Sequence, residues 1–173
     1  MEWSFSLIKP DAIKRNLIGK IISKFEAKGL ILVGLKMAWP TRELIEKHYE
    51  DQKDEPHFQQ LVDFMAGGPV IAMVWEGPNA VTVTRNLIGV KDPVKSTPGS
   101  IRGDFALEMP KTIVHGARSP EEAEKELQLW FHGKSSDFIW EDLLGTENFD
   151  VNMPSDTKID VKKELDGPAA EGT

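Results

Sequence analysis

The stretch TIVHGARSPEE, residues 112–122, contains the last strand-to-helix transition that the sequence predicts. Its first three residues, Thr112 to Val114, favour a short strand. Ser119 has the properties of a helix N-cap, because proline occupies the first helical position and an acid follows three residues after the cap. We therefore expect His115 and Gly116 to turn out of the strand, just ahead of a helix that runs to about Trp130.

Upstream of this stretch, the sequence predicts three more strands with helices between them. Alternation predicts a strand over Trp3 to Leu7, and a second strand is expected over Leu30 to Met37. The almost wholly apolar run from Val70 to Trp75 predicts a third strand, buried on both faces. Helices are predicted over Ile18 to Ala27, after an N-cap at Thr41, along the stripe Phe58, Leu61, Val62 and Met65, and over Asn79 to Leu87.

This order of elements is typical of an α+β sandwich of the split βαβ kind. No period holds between Gly89 and Lys111, which predicts a long loop before His115, and such loops are usually functional. We assign residues 1–152 to one domain and residues 153–173 to a polar tail that is either flexible or packed on a neighbouring subunit.

The composition excludes several classes of function. The 173-residue chain has no cysteine, so disulfides, thiolate metal sites and cysteine nucleophiles are ruled out. Its net charge of −7 argues against general binding to nucleic acid or to anionic membranes. Neither a signal peptide nor a membrane span is evident, and the cytoplasm is the expected location.

His115 is the first candidate for chemistry, because it stands at a strand end ahead of a capped helix, where free N–H groups favour an anion. Glu126 falls within the helical apolar stripe of Ala123, Leu127 and Trp130, so its carboxylate needs a partner, and a histidine ring would suit. The local pattern leaves two other interpretations open: a turn histidine with no special role, and a boundary glutamate that reaches solvent.

Three basic residues could converge on a polyanion. Alternation places Lys9 on the same face as the apolar residues of the first strand, where it either extends to solvent or meets an anion. Arg85 lies on the helix before the long loop, and Arg102 lies within the loop. Together the three could clamp a polyphosphate, because arginine forks match phosphate oxygens.

Several motifs together resemble the nucleoside diphosphate kinase family, in the order and at the spacing of that family, over roughly residues 1–141. They are Lys9-Pro10-Asp11, His48-Tyr49, Gly68-Pro69-Val70, Trp75-Glu76-Gly77, the run Pro98-Gly99-Ser100-Ile101-Arg102-Gly103-Asp104-Phe105, and His115-Gly116. The resemblance implies a ferredoxin-like βαββαβ fold, an antiparallel sheet with helices packed on it. It also implies phosphate transfer from nucleoside triphosphates to nucleoside diphosphates by a ping-pong mechanism.

By matching position, the resemblance implies that His115 is the phosphate-carrying nucleophile and that Glu126 orients it. It implies catalytic roles for Lys9 and Tyr49, and nucleotide contacts for Lys9, His57, Arg85, Lys91, Arg102 and Thr112. Mg²⁺ would arrive on the nucleotide phosphates, with no metal site on the protein. The family implies a homo-oligomer, either a hexamer or a tetramer, and no membrane or specific nucleic-acid partner.

Five positions differ from the family pattern. The family usually has an aromatic residue at His57, threonine at Lys91, asparagine at Thr112, serine at Ala117 and aspartate at Arg118. We expect Lys91 and Arg118 to add positive charge near the phosphates, and the base and sugar pocket to be altered. These departures motivate the alternative of a nucleotide-binding or scaffolding homologue with weak or no catalysis. A third interpretation is a regulatory protein–histidine kinase.

Overall fold

The computed structural model describes residues 1–131. The predicted boundary between the domain at residues 1–152 and the tail at residues 153–173 lies outside the described residues, so it stays a prediction. Among the helices of residues 1–131, none combines the length and the apolar character that a membrane crossing requires.

Four strands form one antiparallel sheet in the order β2-β3-β1-β4. The bounds are β1 Glu2–Ile8, β2 Ile31–Ala38, β3 Val70–Gly77 and β4 Val114–Gly116. The first three strands lie where alternation and apolar runs predict them. β3 is almost wholly buried, as expected for an apolar strand that is paired on both edges and covered on both faces.

Helices cover both faces of this sheet in the described range. Their bounds are α1 Pro10–Lys14, α2 Ile18–Ala27, α3 Arg42–His48, α4 Phe58–Ala66, α5 Ala80–Ile88, α6 Ile101–Phe105 and α7 Pro120–Phe131. The crossover helices α2 and α5 share one core with Trp75, whereas α3, α4 and α7 share the other with Phe5 and Leu7. This arrangement confirms the ferredoxin-like βαββαβ prediction, with extra helices on the second face.

Two predicted helix caps are present. The Thr41 hydroxyl accepts a hydrogen bond from Leu44 N at 3.2 Å, at the start of α3. The Ser119 hydroxyl accepts one from Glu122 N, also at 3.2 Å, at the start of α7. Each cap satisfies a backbone N–H that has no partner within the helix, which is why these side chains mark the helix starts.

The prediction of a structureless stretch between Gly89 and Lys111 was wrong in part. A 3₁₀ turn at Pro93–Lys95 and the five-residue helix α6 lie within it. Ser100 caps α6 by accepting a hydrogen bond from Gly103 N at 3.1 Å. A helix of little more than one turn is too short to display a 3.6-residue period, so hydrophobic spacing could not reveal it.

Candidate active site

His115 lies inside β4, opposite Leu7 of β1. The sequence predicted a strand over Thr112 to Val114 with His115 turning out of it, and that prediction was wrong. The strand begins later because Ile113 has a left-handed backbone with φ of 71°, which an extended strand cannot accommodate.

Neighbouring groups hold Ile113 in this unfavourable conformation. Asp11 accepts a hydrogen bond from Ile113 N at 3.1 Å, and Lys9 N donates to Ile113 O at 2.9 Å. A β-branched residue with positive φ is strained, and such strain persists only where the surroundings impose it. The start of α1 therefore fixes the chain two residues before His115.

Gly116 is required by close packing between β4 and α5. A Cβ atom at Gly116 would lie 2.4 Å from Ile88 Cδ1, so α5 already fills this space. The glycine therefore allows α5 to approach β4.

His115 and Glu126 form the central pair of the site. The His115 Nε2 atom lies 2.7 Å from Glu126 Oε1, which confirms the predicted contact. The Glu126 side chain is 4% exposed and that of His115 is 16% exposed. Burial, followed by the nearby charge of Lys9, lowers the pKa of His115 and keeps its ring neutral. Burial also raises the pKa of Glu126.

Lys9 is buried beside this pair, and it does not extend to solvent. Its Nζ atom donates to Thr112 Oγ1 at 2.9 Å and to Pro110 O at 3.4 Å. Burial, with the like charge of Arg102 as the second cause, lowers the pKa of Lys9 to about 7. Because an isolated buried cation is costly, this site favours an anion that restores the lysine charge.

Arg102 reaches the site from α6, where its guanidinium bonds to two backbone carbonyls. Nη1 donates to Gly89 O at 3.2 Å and Nη2 donates to Val114 O at 3.0 Å. Its Nε atom is buried and has no partner in the described range. Burial lowers the pKa of Arg102 to about 10. Arg85 and Lys91 are exposed, and their charges act on Arg102 and Lys9 respectively.

The structure brings Tyr49 to His115 but does not link His57 to it. The Tyr49 ring centroid is 5.7 Å from that of His115. Its hydroxyl is buried without a partner among the described groups, and burial raises its pKa. His57 directly precedes α4, and no described contact joins it to His115. A nucleotide contact by His57 stays a prediction.

The charge of Arg118 acts on His115, as the sequence led us to expect, but two carboxylates contact its guanidinium. Its guanidinium lies 2.5 Å from Asp51 Oδ2 and 2.5 Å from Glu122 Oε1. Two carboxylates therefore offset its charge, and these bonds raise the pKa of Arg118. The three side chains connect the start of α7 to the 3₁₀ turn at Glu50–Gln52.

The sequence did not single out His48 as a functional residue, although the structure places it in the site. The His48 ring is buried, with its centroid 4.5 Å from that of His115. His48 lies three residues after Ile45 and one residue before Tyr49, and this helical spacing was a signal that could have indicated its burial. All three lie on the buried side of the end of α3.

The site thus combines a neutral histidine, a buried carboxylate behind it, and cations on its other sides. These features suit phosphoryl transfer, a reaction in which positioning and charge neutralisation do most of the work.

Comparisons with known proteins agree with this class of site. The family model for nucleoside diphosphate kinase matches residues 2–136. A nucleoside diphosphate kinase of Brevibacillus brevis is 51% identical over 131 residues, which cover 76% of this chain and 89% of the relative. One from Drosophila melanogaster is 49% identical over 133 residues, which cover 77% and 87%.

A crystal structure of the nucleoside diphosphate kinase from Encephalitozoon cuniculi has a TM-score of 0.74 and 48% identity, covering 75% of this chain and 88% of that one. The chain belongs to the nucleoside diphosphate kinase family. It is therefore a phosphotransferase that moves the γ-phosphate of a nucleoside triphosphate to a nucleoside diphosphate. The comparisons give no support to the alternative of a scaffolding homologue.

Proposed function

We propose that His115 Nδ1 is the atom that carries the phosphate between the two nucleotides. The hydrogen bond between His115 Nε2 and Glu126 Oε1 carries this proposal. An ionised Glu126 accepts the Nε2 proton, so the neutral ring keeps its lone pair on Nδ1. Nδ1 makes no hydrogen bond within residues 1–131, which leaves it available for attack.

In the first half-reaction, the Nδ1 lone pair forms a bond to the γ-phosphorus. The bond from that phosphorus to the bridging oxygen breaks, and the diphosphate leaves with the electron pair. The ring then carries a positive charge, because both of its nitrogens are substituted, and the Glu126 carboxylate balances that charge. In the second half-reaction, a terminal oxygen of another diphosphate attacks the phosphorus, and the N–P bond returns its electrons to His115.

The cations around His115 are suited to stabilising this transfer. Lys9 is buried, Arg102 is half-buried, and Arg85 and Lys91 are exposed. We propose that they neutralise charge on the phosphate oxygens, with the Arg102 Nε–H and the Tyr49 hydroxyl as further donors. The Mg²⁺ ion is part of the substrate and supplies further charge neutralisation on the phosphates.

Thr112 is proposed to act through Lys9. Its hydroxyl accepts a hydrogen bond from Lys9 Nζ at 2.9 Å and so fixes the ammonium group. His57 and Lys91 are proposed to contact the nucleotide on grounds of family position alone. The cytoplasm stays the predicted location.

Labelling with γ-³²P-ATP and Mg²⁺ tests the nucleophile. The wild type is expected to become labelled, with the label lost in acid and retained in base, and to pass the label to GDP. His115→Gln is expected to take up none. His57→Ala is the matched control, and it should still be labelled, at higher ATP concentrations if His57 binds the nucleotide. Equal labelling of the wild type and His115→Gln would refute the assignment.

We also propose that the chain assembles with copies of itself through β2. This strand lies at the edge of the sheet, and three of its apolar side chains are exposed. Ile31 is 51% exposed, Leu35 is 51% exposed and Met37 is 57% exposed. An edge strand with such exposed apolar side chains invites pairing with a second copy.

Light scattering on the wild type and on Leu35→Lys tests this assembly. We expect the wild type to have a mass several times the 19.4 kDa of one chain, and Leu35→Lys to dissociate. Leu107→Lys is a matched control, because Leu107 is an exposed leucine away from β2. A wild type of 19.4 kDa would contradict the proposal. Hexamer and tetramer both stay predictions of the family resemblance.

A further inference from the structure

His48 is buried beside the central pair of His115 and Glu126. It is the last residue of α3, and its side chain is fully buried. Its Nδ1 atom accepts a hydrogen bond from Trp130 Nε1 at 3.2 Å, and its Nε2 atom lies 3.6 Å from Glu126 Oε1. A series of side-chain contacts thus runs from Trp130 through His48 to Glu126, and it ends at the Glu126 oxygen that contacts His115.

Trp130 decides which nitrogen of His48 carries the proton. The indole N–H can only donate, so His48 Nδ1 must offer a lone pair, and the neutral ring carries its proton on Nε2. Burial, with the neighbouring His115 as the second cause, lowers the pKa of His48 and keeps that ring neutral. The N–H group of His48 Nε2 therefore faces the Glu126 carboxylate.

This matters because Glu126 could orient His115 in two ways. An ionised Glu126 accepts the proton of His115 Nε2 and leaves the lone pair on Nδ1. A protonated Glu126 would donate to His115 Nε2, so the ring proton would move to Nδ1 and block the nucleophile. Glu126 is 3% exposed, and its Oε2 atom has no partner in the described range, so burial favours the protonated form.

We propose that His48, held in one tautomer by Trp130, is a positioning residue that keeps Glu126 ionised and thereby keeps the lone pair of His115 on Nδ1. The inference rests on the proposed role of His115. At 3.6 Å the His48–Glu126 contact is electrostatic and longer than a hydrogen bond. It acts in a buried site, where such interactions are only weakly screened.

His48, His115 and Glu126 also have the atom types of a zinc site, with their ligand atoms within 4.8 Å of one another. The Trp130 donor argues against that use. A metal at His48 Nε2 would need the lone pair on Nε2, whereas the indole N–H directs the lone pair to Nδ1. The tautomer therefore favours a donor role for His48.

Other charged groups face this cluster and are kept unchanged in the test. Lys9 follows β1, Asp51 lies in the 3₁₀ turn after α3, and Arg102 lies on α6. Arg118 and Glu122 lie at the start of α7. A variant at His48 alone therefore changes one contact of Glu126 within a constant charge environment.

The test measures the single-turnover rate of phosphoenzyme formation from MgATP between pH 5.5 and 9.5. His48→Phe keeps a ring but removes the donor, so we expect the acid limb of the profile to move up by about one pH unit. The rate at the acid end then falls about tenfold, because one pKa unit is a tenfold change in the ionised fraction. Near pH 9 the rate should recover toward that of the wild type, with no change in the apparent affinity for MgATP.

His48→Gln is the rescue variant, because its amide N–H can replace the donor, and we expect an acid limb close to that of the wild type. Ile45→Val is the packing control from the same helix, and it should leave the profile unchanged. Thermal unfolding confirms that each variant folds. An equal rate loss at every pH, or an unshifted limb in His48→Phe, would overturn the inference. A wild type that takes up no label would instead refute the role of His115.

Discussion

Lys9 should take up a proton when a nucleotide binds. Its pKa is about 7 in the unliganded site, because burial and the charge of Arg102 disfavour the ammonium form. A bound polyphosphate favours that form and moves the pKa back toward its ordinary value of about 10.4. At pH 8 roughly one tenth of the free protein carries this proton, so binding of MgADP should take up about 0.9 proton.

The same reasoning predicts how affinity changes with pH. The protonated fraction of free Lys9 falls from about one half at pH 7 to about one hundredth at pH 9, so the affinity for MgADP should fall about 50-fold. The sign follows because the proton is bound more tightly in the complex, which makes binding weaker as pH rises through the pKa of the free lysine.

Isothermal titration calorimetry in two buffers with different ionisation enthalpies measures this uptake directly. Lys9→Met should abolish it, whereas Lys91→Met, which removes an exposed lysine nearby, should retain it. Heats that do not depend on the buffer at pH 8, or an uptake that persists in Lys9→Met, would show that burial does not set the charge of Lys9.

Three further predictions concern the surroundings of His115. Glu126→Gln keeps an acceptor but loses the charge, so kcat for phosphate transfer should fall about 5- to 30-fold with little change in KM, as expected for about 1–2 kcal/mol lost from a charged hydrogen bond. Gly116→Ala should lower the free energy of unfolding in urea by about 1–3 kcal/mol, because the new methyl group overlaps Ile88, and Ile88→Val should restore part of it. Arg118→Ala exposes the negative charges of Asp51 and Glu122, so the KM for MgADP should rise about two- to fivefold at low salt and by much less at high salt. An Arg118→Ala effect that does not depend on salt would contradict this electrostatic explanation.

Much of the fold could be predicted because its signals are local. The apolar run of β3 and the caps at Thr41 and Ser119 depend on residues that are close together in sequence. The late start of β4 could not be predicted in this way. It depends on the left-handed Ile113 and on its hydrogen bonds to Lys9 and Asp11, about 100 residues away.

The candidate site also has one part that local sequence signals predict and another part that depends on residues distant in sequence. Helical spacing was enough to place Glu126 on the buried face of α7, and its contact with His115 followed. The tautomer of His48 was beyond the sequence, because it depends on an indole that is 82 residues away. The offset charge of Arg118 was also missed, since Asp51 reaches it from a different element.

The atom that carries the phosphate is the most direct test of this account. Protein with ¹⁵N-labelled histidine can be phosphorylated with ATP and Mg²⁺, kept at alkaline pH and studied by ³¹P and ¹⁵N NMR. We predict one phosphorus–nitrogen coupling, to Nδ1 of His115, because Glu126 holds the Nε2 proton. A phosphate on Nε2 of His115, or on any other residue, would contradict the account.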